Sequence, residues 1–126
     1  NAVREGSAAQ RVSLQSRMGS RNPHLMRAIA MMEENLEEPP ATADIAQALG
    51  ISTRQLERLF GRFLNSSPRH YMMEVRLHRA RNLLVQTDQS ITEIAMACGF
   101  RSTSHFSRVY RDHFGRAPSS RRTTLN

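Results

Sequence analysis

The 126-residue chain has no lysine, no tryptophan and a single cysteine. One cysteine excludes an internal disulfide and fits a reducing, cytoplasmic compartment. No apolar run approaches 18 residues, which excludes a membrane-spanning helix. No charged, apolar and small-residue succession opens the chain as a secretory signal would. Five Pro and six Gly are too few for a low-complexity chain, and 39% apolar residues suffice for a core. Gly-rich phosphate loops and paired-carboxylate sites are missing too. The five His (24, 70, 78, 105, 113) lack metal-ligand spacing. Ser104-His105 is no catalytic pair, because neighbours on a helix point apart. The chain therefore reads as a non-enzyme without metal or cofactor. Residue 1 is Asn rather than Met, so the expectation is a fragment with Asn1-Ala2 as a cloning remnant.

Positive charge is what the chain has in excess. The formal net charge is +7, and all 18 basic residues are Arg. Residues 1–38 balance five Arg (4, 11, 17, 21, 27) against five Glu (5, 33, 34, 37, 38). Residues 50–126 set 13 Arg against Glu57, Glu74, Asp88, Glu93 and Asp112. The basic field thus belongs to the later part and implies a polyanionic partner. Guanidinium forks suit phosphates and guanine edges. A GC-rich genome favouring Arg codons accounts for the missing lysine more simply than selection for binding does.

Residues 1–21 are polar and weakly periodic, and read as an interdomain linker or tail; residues 22–126 read as the domain. Asn22-Pro23 predicts a helix start, Leu25, Ile29, Met32 and Leu36 recur at helical spacing, and Pro39-Pro40 closes the segment. Ala43–Leu49 predicts a helix ending at a left-handed Gly50. Ser52-Thr53-Arg54-Gln55 is a capping box that opens a helix burying Leu56, Leu59, Phe60 and Phe63. Ser67-Pro68 starts the longest helix, to about Gln86, with Tyr71, Val75, Leu83 and Leu84 inward. A second box, Ser90-Ile91-Thr92-Glu93, opens a helix ending at Gly99. The next helix, from near Ser102 to Gly115, buries Phe106, Val109, Tyr110 and Phe114, and Pro118 starts a short last one. No segment alternates with period two. The expected fold is all-α, about seven helices, with two helix-turn-helix subdomains (about 42–64 and 90–114) joined by a long linker helix (about 68–86).

Comparing the chain with itself reveals a repeat. Ile45-Ala46-x-Ala48-x-Gly50 matches Ile94-Ala95-x-Ala97-x-Gly99 at an offset of 49. Beyond the turn the offset is 50: Ser52 matches Ser102, Leu56 Phe106, Arg58 Arg108 and Phe60 Tyr110. The second turn is therefore one residue longer, with Arg101 in the extension. Each copy has a small Ala where two helices approach, a Gly to reverse the chain, and a second amphipathic helix with Arg outward. One such pattern is weak; two at one spacing point to paired helix-turn-helix units. A helix over residues 68–86 spans roughly 28 Å, near the roughly 34 Å between successive major grooves. The expectation is that both units read one side of one duplex, with some DNA bending.

These residues resemble the DNA-binding domain of the AraC/XylS family of bacterial regulators. The late block carries most of the match: Ile94-Ala95-x-x-Cys98-Gly99-Phe100, Phe106-x-Arg108-x-Tyr110 and Phe114-Gly115-x-x-Pro118. Ser67-Pro68-x-x-Tyr71, Arg76, Ala80 and Leu83-Leu84 fit as well. The likeness covers about residues 23–122 and implies seven helices with the third and sixth as readers. Two departures stand out: Ser119-Ser120-Arg121 replaces an aromatic after the last turn, and Ala41 occupies the register of the Ser90 cap, leaving Thr42 to cap or the end to fray. Residues 10–23 are similar to linkers in a subgroup with an upstream DJ-1/PfpI-like, amidotransferase-like domain. That likeness implies a missing N-terminal sensor domain, a small-molecule effector, and control of amine or amino-acid catabolism.

With Leu56, Leu59, Phe60 and Phe63 inward, Thr53, Arg54, Glu57, Arg58 and Gly61 face out. The resemblance makes Arg54, Glu57 and Arg58 groove residues; Glu57 equally well pairs with Arg54 and only orients it. On the second reader the outward set is Thr103, Ser104, Ser107, Arg108 and Arg111, with Ser104 and Arg108 for base edges and Arg111 for phosphate. Thr53, Thr103, Ser107 and His105 are peripheral candidates. The helix starts at Ser67 and Ser102, with Arg69 and Arg101 beside them, are candidates for backbone anchoring. Arg76 is read as a structural residue paired with Glu93, Cys98 as core, and Arg116, Arg121 and Arg122 as a solvated tail. Met31-Met32 and Met72-Met73 are expected to fill helix seams. The implied function is sequence-specific double-stranded DNA binding by a cytoplasmic, nucleoid-associated transcriptional regulator, an activator that also contacts RNA polymerase. The alternative is a helical protein-interaction module for RNA polymerase with only non-specific DNA affinity.

Overall fold

A computed structural model describes residues 22–120; the expected linker (1–21) and the Arg121-Arg122 tail lie outside them. The described residues form helices and no strands, as the missing period-two pattern predicts. They divide into two compact units, one of residues 22–35 and 39–72, the other of 36–38 and 73–120.

The first unit begins with α1 (Pro23–Glu34), where the Asn22 side chain accepts from the Leu25 N–H at 3.1 Å. Its buried stripe is Leu25, Ala28, Ile29 and Met32. The helix stops earlier than Pro39-Pro40 implies. Asn35 ends it, its backbone N–H donating to Met32 O and its Nδ2 to Met31 O, which leaves Leu36 outside. Next come α2 (Thr42–Leu49) and α3 (Thr53–Leu64), and α1 packs against both. The N-cap of α2 is Ala41, with no side-chain bond, so Thr42 does not replace the missing serine. At the other end Gly50 has φ 73°, a conformation that disfavours any Cβ, which is why the chain can reverse there. The Ser52–Gln55 box forms in both directions, at 2.8 and 3.0 Å. Leu56, Phe60 and Leu64 are the buried stripe of α3, while Leu59 and Phe63 are only half-buried. The stripe follows i, i+4, i+8, so the residues one step aside sit at its margin.

The helix α4 (Pro68–Gln86) contributes its first turn to the first unit and the rest to the second. Ser67 caps it, accepting from the His70 N–H at 3.0 Å. Tyr71 stacks edge-on against Phe60 in the first unit, with ring centroids 5.6 Å apart. In the second unit Leu77, Ala80 and Leu84 are buried, whereas Val75 and Leu83 are half-buried. The buried face therefore includes a small residue and, at position 74, a glutamate. Neither is a type that hydrophobic periodicity would select.

The second unit continues with α5 (Ile91–Ala97) and α6 (Thr103–Phe114), joined through Gly99 at φ 87°. The Ser90–Glu93 box closes at 2.8 and 3.0 Å. Ser102 caps α6 through the His105 N–H. Phe106, Tyr110 and Phe114 line the core at four-residue spacing, with Phe100 completing a ladder of rings 4.6–5.6 Å apart. Val109 is half-buried beside them. Cys98 is fully buried in this core, as its register with Leu49 implies. The methionines follow the seam expectation, with Met32 and Met72 buried and Met31 and Met73 half-buried. A helical turn starts at Pro118.

Candidate nucleic-acid interface

The repeat read from side chains recurs in backbone hydrogen bonds. In the first turn Gly50 N donates to Gln47 O at 3.1 Å and Ile51 N to Ala46 O at 3.0 Å; in the second, Gly99 N donates to Met96 O at 3.1 Å and Phe100 N to Ala95 O at 2.9 Å. Each pair is related by 49 residues. Across the turn the relation is 50: Leu56 N donates to Ser52 O and Phe106 N to Ser102 O. The two turns are thus one local structure built twice, with Arg101 in the added position.

On α3 the buried stripe leaves Thr53, Arg54, Glu57, Arg58 and Gly61 exposed, as expected. Arg62 is exposed too, so Arg54, Arg58 and Arg62 form a row at four-residue intervals. That interval is present in the sequence itself. Among the described residues no ion pair joins Glu57 to Arg54, so the orienting pair is not formed. Glu57 interrupts a cationic face with one acceptor.

On α6 Ser104, His105, Arg108 and Arg111 are exposed. Thr103 and Ser107 are half-buried. Thr103 Oγ1 lies 3.0 Å from Thr92 Oγ1, which ties the start of α6 to the start of α5 rather than leaving Thr103 free. His105, though exposed, has its ring against Phe100, centroids 5.9 Å apart. Arg69, Arg101 and Arg116 are exposed, and Ser67 and Ser102 are engaged as caps. Each capping hydroxyl accepts from a backbone N–H and keeps its own proton for an outside acceptor.

Arg76 has a different partner from the one expected. Its Nε donates to Cys98 O at 2.8 Å and its Nη2 to Gly99 O at 2.6 Å, with the guanidinium 4.2 Å from the Phe100 ring centroid. Glu93 is occupied by its own helix cap. Arg76 thus fastens the second turn through carbonyls left open where α5 ends, a cation at a helix C-terminus. Partial burial draws its pKa below the ordinary arginine value, an effect opposed by Cys98. Burial pushes the Cys98 thiol up to about 11, against the opposing charges of Arg79 and Arg76. The thiol is therefore protonated at neutral pH and unsuited to redox sensing.

Among the described residues no cluster of His, Cys, Asp or Glu could hold a metal ion, and no helix is long and apolar enough to cross a membrane. A family model described as a helix-turn-helix domain matches residues 45–124. The chain is 49% identical over 116 residues to the HTH-type transcriptional regulator ArgR of Pseudomonas aeruginosa, covering 92% of this chain and 35% of that protein. It spans about a third of the length of the curated relatives it matches. A crystal structure of an AraC-type transcriptional regulator from Chromobacterium violaceum shares 50% identity at a TM-score of 0.80, covering 83% of this chain and 94% of the other. The DNA-binding domain of the global transcriptional factor AdpA, solved with a target DNA, is similar at 29% identity and a TM-score of 0.75, covering 79% and 90%.

Proposed function

The chain belongs to the AraC family of helix-turn-helix transcriptional regulators, and from that premise we propose that it binds double-stranded DNA sequence-specifically, with α3 and α6 in successive major grooves. The observation that carries this reading is the duplicated turn, each copy followed by a helix with an exposed arginine at the same position, Arg58 and Arg108. The DNA-bound relative supports it. The 19 residues of α4 supply a connection of roughly the groove spacing.

In this reading Arg54, Arg58 and Arg108 meet guanine O6 and N7, Glu57 accepts from a cytosine N4, and Ser104 meets a base edge directly or through water. Phosphate contacts come from Arg69, Arg101, Arg111 and Arg62, from the cap hydroxyls of Ser67 and Ser102, and at the periphery from Thr53, Thr103, His105 and Ser107. The similarity of residues 10–23 to one subgroup's linkers supports a finer reading, control by a small-molecule effector through a further domain.

Selection from a pool of random duplexes tests the proposal. The expected result is a site of two unlike halves, a footprint over two adjacent major grooves, and a salt slope of about −5 to −9 from about 6–10 phosphate contacts. Binding with no sequence preference at moderate salt would instead favour a protein-interaction module that docks RNA polymerase.

A further inference from the structure

Gly61 is the ninth of the twelve residues of α3, three residues after Arg58 and on the exposed face. Among the described residues nothing accounts for a glycine there. Its φ is not positive, unlike those of Gly50, Gly99 and Gly115, so the backbone does not demand it. A Cβ built on it meets no atom of the described residues within 4 Å, so no helix among them demands it either. Glycine is the least favourable residue for a helix interior after proline. The repeat-related position in α6 is Arg111, also exposed. The first reader is thus bare where the second carries a long cationic side chain, beside the row of Arg54, Arg58 and Arg62.

We infer that Gly61 is a point of close approach, where the duplex packs directly against the main chain of α3 and lets this helix seat deeper in its groove than α6 does. The inference rests on the reading of α3 as a groove helix. The missing side chain is then a specificity feature: it admits a local DNA shape that any side chain would keep at a distance.

The test uses the 126-residue chain, its selected duplex and an unrelated duplex, with Gly61→Ala and Gly61→Leu. Both substitutions favour the helix, and thermal unfolding should move upward by about 4 °C for alanine. Affinity for the selected duplex should nevertheless fall, by about threefold for alanine and about tenfold or more for leucine, with little change on the unrelated duplex. Unchanged or tighter binding of the selected duplex by Gly61→Leu overturns the inference. If the unsubstituted chain prefers no duplex, the groove reading itself has failed, and that arm tells the two failures apart.

Discussion

The two helix-turn-helix units share one backbone plan and differ in how many side chains hold it. In the first, the turn is closed by main-chain bonds and Gly50, the supporting helix α2 starts without a side-chain cap, and the side-chain box is spent on the reading helix α3. In the second, the supporting helix α5 has the box, Arg76 ties the turn to α4, Thr92 meets Thr103, and a ladder of aromatic rings lines α6. α1 and α4 make the contrast concrete. Leu25 and Ala28 in α1 stand as Leu77 and Ala80 do in α4, all buried, but the residue before Leu25 is an exposed His24 and the one before Leu77 is Arg76. A duplicated fold can therefore keep its geometry while its two turns are held by different sets of side chains.

Removing the fastening should give the largest effect. Arg76→Leu leaves the Cys98 and Gly99 carbonyls without their charged donor. It should cost about 2–4 kcal/mol in urea unfolding, with amides of α5 and α6 losing protection in hydrogen exchange before those of α2 and α3. Equal loss in both units would break the comparison. Next come the matched arginines. Arg58→Ala and Arg108→Ala should each weaken the selected duplex by about 1–3 kcal/mol and relax preference at separate subsites. Equal weakening on every sequence would reduce both to phosphate contacts. The caps sharpen the comparison further: Ala41→Ser should stabilise by about 0.5–1 kcal/mol, and Ser90→Ala should cost about 1 kcal/mol, each by thermal melts. The smallest effect is one of pH. Hydrogen bonds from the Ser90 backbone and side chain hold the Glu93 carboxyl below the ordinary glutamate range. A depressed folded-state pKa contributes stability above the unfolded value and loses it as pH falls through the folded one. Acid melts below about pH 4.5 should therefore show a small Glu93-dependent loss, absent in Glu93→Gln.

The sequence made the helix starts legible because a cap is a local event. Asn22, Ser52, Ser90 and Ser102 each accept the bond their spacing predicts. The end of α1 was not, since Asn35 closes it with its own amide while the prolines only mark the loop beyond. The partner of Arg76 was misassigned because opposite charge suggests Glu93, whereas main-chain carbonyls leave no trace in a sequence. The inward face of α4 was half legible: Tyr71 and Leu84 were named, but Ala80 and Glu74 are not residue types that periodicity selects. The outward set on α3 needed only helical register, whereas on α6 Thr103 and Ser107 are half-buried because the start of α6 meets α5. The division of both sets into base and phosphate contacts came from family resemblance, because an exposed arginine looks alike whichever partner it meets.

The burial of Cys98 has a practical consequence. It is the single sulfhydryl in the chain, seated beneath the second turn in the aromatic core. A thiol-reactive dye added to the native protein should remain almost unconsumed, and its slow uptake would count the moments when α5 and α6 part. No label needs to be engineered, because the molecule already carries its own clock for the opening of that one unit.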